Sequence, residues 1–115
     1  MNTDLPILDS EVQQALREMM RDDFDLLIDT FIADAQMRLG HLQASLLTQD
    51  WPAFAQTAHS FRGSCGNMGA LAMQQACQEA EEASRAGDAE YASACLRRLN
   101  GLFDQVTVLL RPQSS

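Results

Sequence analysis

The chain has 115 residues and a mass of 12.7 kDa, and 46% of its residues are hydrophobic, which suits one domain with a single core. Sixteen acidic residues against eight arginines and no lysine give a net charge of −8. This charge disfavours binding to nucleic acid or to an anionic membrane surface, and the lack of lysine excludes a P-loop lysine or a Schiff-base lysine.

The composition favours helices over strands. Alanine supplies 16 residues, whereas valine, isoleucine and threonine together supply 11. No proline lies between Ala53 and Arg111, so nothing in that long segment forbids a helix. We therefore expect an all-α fold.

The first two helices are predicted at about residues 10–20 and 22–48. Ser10 and Gln13 form a capping box at the start of the first helix. The second helix begins at Asp22 or Asp23, and its apolar residues recur every three or four positions, which is typical of a long amphipathic helix. These apolar residues are Phe24, Leu27, Ile28, Phe31, Ala35, Leu39, Leu42 and Leu46.

Three more helices are predicted at about residues 51–68, 70–86 and 88–110. Asp50 with Pro52 is typical of the start of the third helix, Gly87 ends the fourth, and Asp88 caps the fifth. The fifth helix is expected to bury Ala92, Cys95, Leu99, Leu102, Val106 and Leu109. Short connections make long neighbouring helices antiparallel, so residues 1–115 are expected to form one stand-alone domain: an antiparallel up-and-down four-helix bundle with a short additional N-terminal helix.

The cysteines predict neither a disulfide framework nor a zinc site. Cys65, Cys77 and Cys95 are odd in number, contain no CxxC pair and fall on predicted inward stripes, so we expect them to pack as small apolar groups. The acidic N-terminus does not resemble a signal peptide, and the apolar runs are too short to span a membrane. These features predict a reduced, cytoplasmic protein.

The segment around His59 departs from the ordinary helical pattern. Three of the six glycines lie within one stretch of seven residues here, although a glycine in a helix interior costs about 1 kcal/mol relative to alanine. Gly69 is explained as a C-cap, but the apolar stripe continues past Gly63. His59 follows the inward Ala58, so it faces solvent, and Arg62 and Gly63 share its face.

These residue types together favour a site that accepts and gives up a phosphoryl group. An imidazole is nucleophilic near neutral pH, and a guanidinium three residues further on is placed to bind an oxyanion attached to the ring. A glycine beside the ring lets a partner surface approach closely. His41, on the outer face of the second helix, has no such neighbours and is interpreted as an ordinary surface histidine.

Two other functions fit the same residues. In a non-catalytic helical adaptor, an apolar groove would be the functional feature and His59 a solvated side chain without a role. A metal- or redox-sensing bundle would use His59 with the cysteines, although their spacing gives this little support. A di-iron bundle is disfavoured because no Glu-x-x-His pair is present.

The motif also resembles a known signature. Histidine phosphotransfer (HPt) domains of bacterial multistep phosphorelays usually carry A-H-x-L-K-G-S-x-x-x-x-G-A, and this chain carries Ala58-His59-x-x-Arg62-Gly63-Ser64-x-x-x-x-Gly69-Ala70. Length, acidity and helix count match as well, so the resemblance covers nearly the whole chain. Arg62 stands where lysine is commonest and Phe61 where leucine is common. Arginine keeps the positive charge and adds bidentate reach, so phosphotransfer is still expected.

The resemblance implies a role for five residues. His59 would be the phosphoacceptor through Nε2, Arg62 would stabilise the phosphoryl group, and Gly63 would give the partner's aspartate access to the ring. Ser64 would lie at the edge of the site. In several members an acidic or amide side chain about 22 positions beyond the histidine holds the other ring nitrogen, and here that residue is Glu81; the alternative is that Glu81 is one of several solvated acids.

The resemblance also implies the partners. The chain would be a phosphocarrier without kinase activity and without a cofactor of its own, and the partner receiver domain would supply Mg²⁺. The partners would be receiver domains of hybrid sensor kinases and of response regulators, with no nucleic acid and no membrane, and the chain would act as a monomer. The docking face is expected around the third helix, including Leu16, Met19, Ile32, Gln36 and Ala55.

Overall fold

The computed structural model describes residues 5–111, and all five predicted helices are present in this part of the chain. They are α1 (Ser10–Met20), α2 (Phe24–Thr48), α3 (Trp51–Met68), α4 (Leu71–Ala86) and α5 (Ala89–Leu110). A short 3₁₀ turn, Arg21–Asp23, separates α1 from α2 and moves the start of α2 slightly beyond its predicted position. Residues 5–111 contain no strand, so the all-α prediction is confirmed.

The four long helices form a closed antiparallel bundle. Each helix packs against the next in sequence, and α5 packs back against α2. The loops between them contain two residues each, at positions 49–50, 69–70 and 87–88. Gly69 and Gly87 lie in the left-handed region with φ of +80° and +63°, where glycine ends a helix without steric cost, so both predicted C-caps are confirmed.

The start of α1 differs from the prediction. Asp9 is the N-cap, and its carboxylate accepts the backbone N–H groups of Glu11 and Val12, while Ser10 is already helical. Gln13 does not complete a capping box. Its side-chain amide donates instead to the carbonyl of Met68 at 2.6 Å, which ties α1 to the last turn of α3.

The segment before α1 reinforces this anchor. The Asp9 N–H donates to the Gly69 carbonyl at 2.8 Å, and the Ala72 N–H donates to the Pro6 carbonyl at 3.1 Å. The N-terminal segment is therefore bonded to the loop between α3 and α4 and to the first turn of α4. As a result, α1 lies beside α2 at the end of the bundle where α3 terminates.

The core runs along the bundle axis and contains the apolar stripes of all four long helices. In α5 the stripe passes through Phe103 and Leu110, so the prediction for Leu109 is wrong: Leu109 is 52% exposed. Leu102 is only partly buried. The largest fully buried side chains are Phe54, Phe61, Leu42, Met73, Leu99, Val106, Cys65 and Cys77.

The three cysteines are free and buried, as the sequence predicts. A hydrogen bond with Cys65, together with burial, raises the pKa of the Cys77 thiol far above its ordinary value. Burial and the nearby Glu79 raise the pKa of Cys95 to about 11. Cys77 and Cys95 therefore stay protonated at neutral pH. All three buried side chains pack as small apolar groups.

Within residues 5–111, none of the helices combines the length and the hydrophobicity that crossing a bilayer requires.

Candidate functional site

His59 lies on the outer face of α3, with its ring open to solvent. The neighbouring stripe residues Ala58 and Phe61 are fully buried, and this fixes the rotation of α3 and turns position 59 away from the core. The His59 side chain is 64% exposed. The sequence prediction of an accessible imidazole is confirmed.

A buried carboxylate from the next helix holds one nitrogen of this ring. Glu81 of α4 follows the buried Cys77 by one turn, and its side chain is only 9% exposed. Its Oε2 lies 3.1 Å from Nδ1 of His59. A carboxylate only accepts hydrogen bonds, so Nδ1 carries a proton, and in the neutral form of the ring Nε2 then has the free lone pair. The alternative, that Glu81 is one of several solvated acids, is wrong: Glu81 is buried, whereas the neighbouring Glu82 is exposed.

Arg62 lies one turn after His59, but its guanidinium points towards Glu81. Nη1 of Arg62 is 3.6 Å from Oε1 of Glu81, and Nη2 is 3.4 Å from Nδ1 of His59. The sequence pattern predicts that the Arg62 charge lies where it can bind a phosphoryl oxygen attached to the His59 ring. In the structure the charge lies instead on the Nδ1 side, paired with the carboxylate. Arg62 is 34% exposed, so its guanidinium is accessible from solvent.

Sequence reasoning missed Arg85. Its Nη2 donates to Oε2 of Glu81 at 3.4 Å, the same oxygen that accepts from His59. Glu81 and Arg85 are four residues apart on α4, a spacing that allows an ion pair on any helix and that could have identified the contact. The other oxygen, Oε1, is buried and has no hydrogen-bond partner among residues 5–111.

The two residues after Arg62 differ in their relation to the ring. Gly63 lies one turn after His59 and is exposed, and a Cβ added there would have no atom within 4 Å outside its own helix turn. Packing within the chain therefore does not require glycine at this position. Ser64 is half-buried and forms no hydrogen bond with His59; it lines a neighbouring groove.

That groove lies between α1, α2 and α3 and has a volume of about 300 Å³. It is lined by Leu16, Leu27, Thr30, Phe31, Asp34, Ser64, Asn67 and Met68. Of the residues predicted for a docking face, Leu16 lines the groove and Met19 is 70% exposed. Ile32 is 5% exposed and belongs to the core, so its predicted place on the docking face is wrong.

The described residues contain no group of three or more histidine, cysteine, aspartate and glutamate side chains that could hold a metal ion. The ionised groups around His59 comprise one carboxylate and two guanidinium groups, which suits binding of an anion close to the ring.

Comparison with known proteins gives two matches. The model of the Hpt domain family matches residues 26–107, which cover nearly all of the four bundle helices and leave out α1. The crystal structure of histidine-containing phosphotransfer protein B (HptB) from Pseudomonas aeruginosa PAO1 is similar to this structure with a TM-score of 0.89; the two chains are 39% identical over 92% of each. Among curated proteins, no sequence matches the chain.

Proposed function

Because the chain belongs to the Hpt domain family, it is a histidine phosphotransfer protein of a phosphorelay, and we propose that His59 is the residue that carries the phosphoryl group. One observation carries this proposal: the exposed His59 ring has its Nδ1 held by the buried Glu81 at 3.1 Å, so Nε2 is the nitrogen left to react. The other histidine, His41, is exposed on α2 and lies outside this arrangement.

The transfer step follows from this protonation state. The Nε2 lone pair attacks the phosphorus of an aspartyl phosphate, a P–N bond forms, and the P–O bond breaks with its electron pair leaving on the aspartate carboxylate. The ring keeps its Nδ1 proton and so becomes a phosphoimidazolium with one additional positive charge. Glu81 offsets that charge across the hydrogen bond that already exists. The reverse step returns the group to an aspartate of another receiver.

The residues near the ring support this step in different ways. Arg62 would bind the phosphoryl oxygens after turning from Glu81, a movement that its exposure and long side chain allow. Gly63 would leave space for the partner's aspartate, which agrees with its open surroundings. Ser64 would contribute to the neighbouring groove and not to the chemistry.

Hpt domains interact with receiver domains in phosphorelays. For this chain we propose the receiver of a hybrid sensor kinase as donor and that of a response regulator as acceptor, with the α1–α2–α3 groove as part of the docking face. Mg²⁺ would be bound by the acidic pocket of the receiver. The chain itself would be a cytoplasmic monomer with no kinase activity and no binding to nucleic acid or membranes.

The test compares two single histidine substitutions. The wild-type protein, His59→Gln and the matched control His41→Gln are each incubated with a receiver domain that carries radiolabelled phosphate. The products are separated without acid, because the P–N bond of phosphohistidine is acid-labile. The wild-type protein and His41→Gln should take up label, and His59→Gln should take up none. Label on His59→Gln at the wild-type level would refute the assignment, and absence of label on every protein is the result expected of an adaptor.

A further inference from the structure

Glu81 is contacted by two arginines, and the two contacts differ in kind. Arg85 donates a hydrogen bond to Oε2, whereas Nη1 of Arg62 is 3.6 Å from Oε1, which is too long for one. Arg62 also approaches Nδ1 of His59 at 3.4 Å, but that nitrogen already donates to Glu81 and cannot accept. Arg62 is therefore held near the carboxylate by charge, and Arg85 by a directed hydrogen bond as well.

This difference matters because the carboxylate is buried. The side chain of Glu81 is 9% exposed, and a buried carboxylate is costly unless cations or hydrogen-bond donors compensate it. The groups that face it are His59 and Arg62 from α3 and Arg85 from its own helix. If Arg62 is to turn to a phosphoryl group, another cation has to stay with Glu81.

We propose, on the basis of the function above, that Arg85 is a positioning residue that keeps Glu81 paired while Arg62 moves to the phosphoryl group. Before transfer the carboxylate faces Arg62, Arg85 and a neutral ring. After transfer the ring is a cation and takes the place of Arg62, so the carboxylate again faces two positive charges. Arg85 is common to both states and compensates Glu81 while the charge on the ring is only partly developed.

The experiment is a double-mutant cycle on the rate of transfer from a labelled receiver domain. Arg85→Gln should slow transfer about fivefold, the size of a typical coupling within one ion-pair network. In a protein that already carries Arg62→Gln, the Arg85→Gln substitution should not slow transfer further. That protein has no Arg62 guanidinium that must leave Glu81 for the phosphoryl group. Arg85→Lys should recover most of the rate, since an ammonium group can also donate to Oε2. The matched control is Arg97→Gln on α5, where the exposed arginine donates a hydrogen bond to Ser93, and this variant should transfer at the wild-type rate.

Two results would overturn the inference. One is a wild-type rate for Arg85→Gln. The other is slowing by the same factor with and without Arg62, which is the outcome expected if Arg85 acts only as a cation at the end of α4 that stabilises the helix. Failure of the proposed function would appear differently, as an absence of label on the wild-type protein, and would remove the basis of the inference too.

Discussion

Replacing Glu81 by glutamine separates the charge of this side chain from its hydrogen bond to His59. The amide oxygen can still accept the Nδ1 proton, so the ring keeps its tautomer, but the negative charge that offsets the phosphoimidazolium is lost. A hydrogen bond with a charged partner contributes about 1.5–3 kcal/mol, against about 0.5–1.5 kcal/mol for a neutral pair. Because the ring is 64% exposed and solvent screens the charge, we expect a loss of about 1 kcal/mol. This corresponds to a roughly fivefold shift of the transfer equilibrium towards the receiver aspartate.

The measurement is the equilibrium distribution of radiolabelled phosphate between the chain and a receiver domain. Glu82→Gln is the matched control: it changes the net charge equally, but its side chain is exposed, so the distribution should stay at the wild-type value. Glu81→Ala removes the acceptor as well, and the nitrogen NMR shifts of the His59 ring should then report a mixture of both tautomers. If Glu81→Gln left the distribution unchanged, the charge of Glu81 would have no part in stabilising the phosphorylated ring.

Three further predictions concern glycines and a thiol. Gly63→Ala should raise the free energy of unfolding by about 1 kcal/mol, since its surroundings are open and alanine favours helix. It should nevertheless slow transfer, because the added methyl group occupies space that the partner needs beside the ring. The control is Gly101→Ala on α5, where the surroundings are equally open. Urea titration should show the same increase in the free energy of unfolding, and the rate of transfer should not change. Slower transfer in both variants would contradict a role of Gly63 in partner access. Gly69→Ala should lower the free energy of unfolding by about 1–3 kcal/mol, because φ is +80° and the new Cβ would lie 2.8 Å from Cβ of Val12; unchanged stability would refute this. Burial raises the pKa of Cys95 to about 11, so the rate at which iodoacetamide alkylates this residue in the folded protein should rise with pH up to about that value, and a plateau near pH 9 would contradict it.

The ends of most helices could be predicted because their residue types, such as a capping aspartate or a C-terminal glycine, are typical of helix ends and less favourable within helices. Asp50 with Pro52, and a glycine after each of α3 and α4, are strong signals, and the structure places helix ends at them. The cap of α1 is different, because Asp9 and Ser10 are adjacent and both suit the role. The choice between them depends on the contact of Gln13 with the carbonyl of Met68, which is a tertiary interaction absent from the local sequence.

Side-chain direction on an exposed surface is harder to predict than helix position. The spacing of His59 and Arg62 places their Cβ atoms on one face, but it does not say whether the long guanidinium side chain turns towards solvent or towards α4. The buried charge of Glu81 decides this in the structure. A similar ambiguity affects α5, where Leu109 and Leu110 are adjacent and both apolar, so that only packing against the other helices selects Leu110 for the core.

The pairing of His59 with Glu81 follows from the length of the loop between α3 and α4. Ala70, in that loop, lies eleven residues after His59 and eleven before Glu81, and residues equally distant from the middle of a tight antiparallel hairpin face each other. Gly66 and Gln74, each four residues from Ala70, show the same register, because a Cβ on Gly66 would lie 2.5 Å from the Gln74 side-chain amide nitrogen. One additional residue in the loop would move α4 by about 1.5 Å along its axis or turn it by about 100°, and either change would take the carboxylate away from the ring. The separation of 22 residues between the two side chains is thus a property of the hairpin. In the sequence, the resemblance to HPt domains indicated Glu81, and the hairpin geometry explains why that resemblance holds at this position.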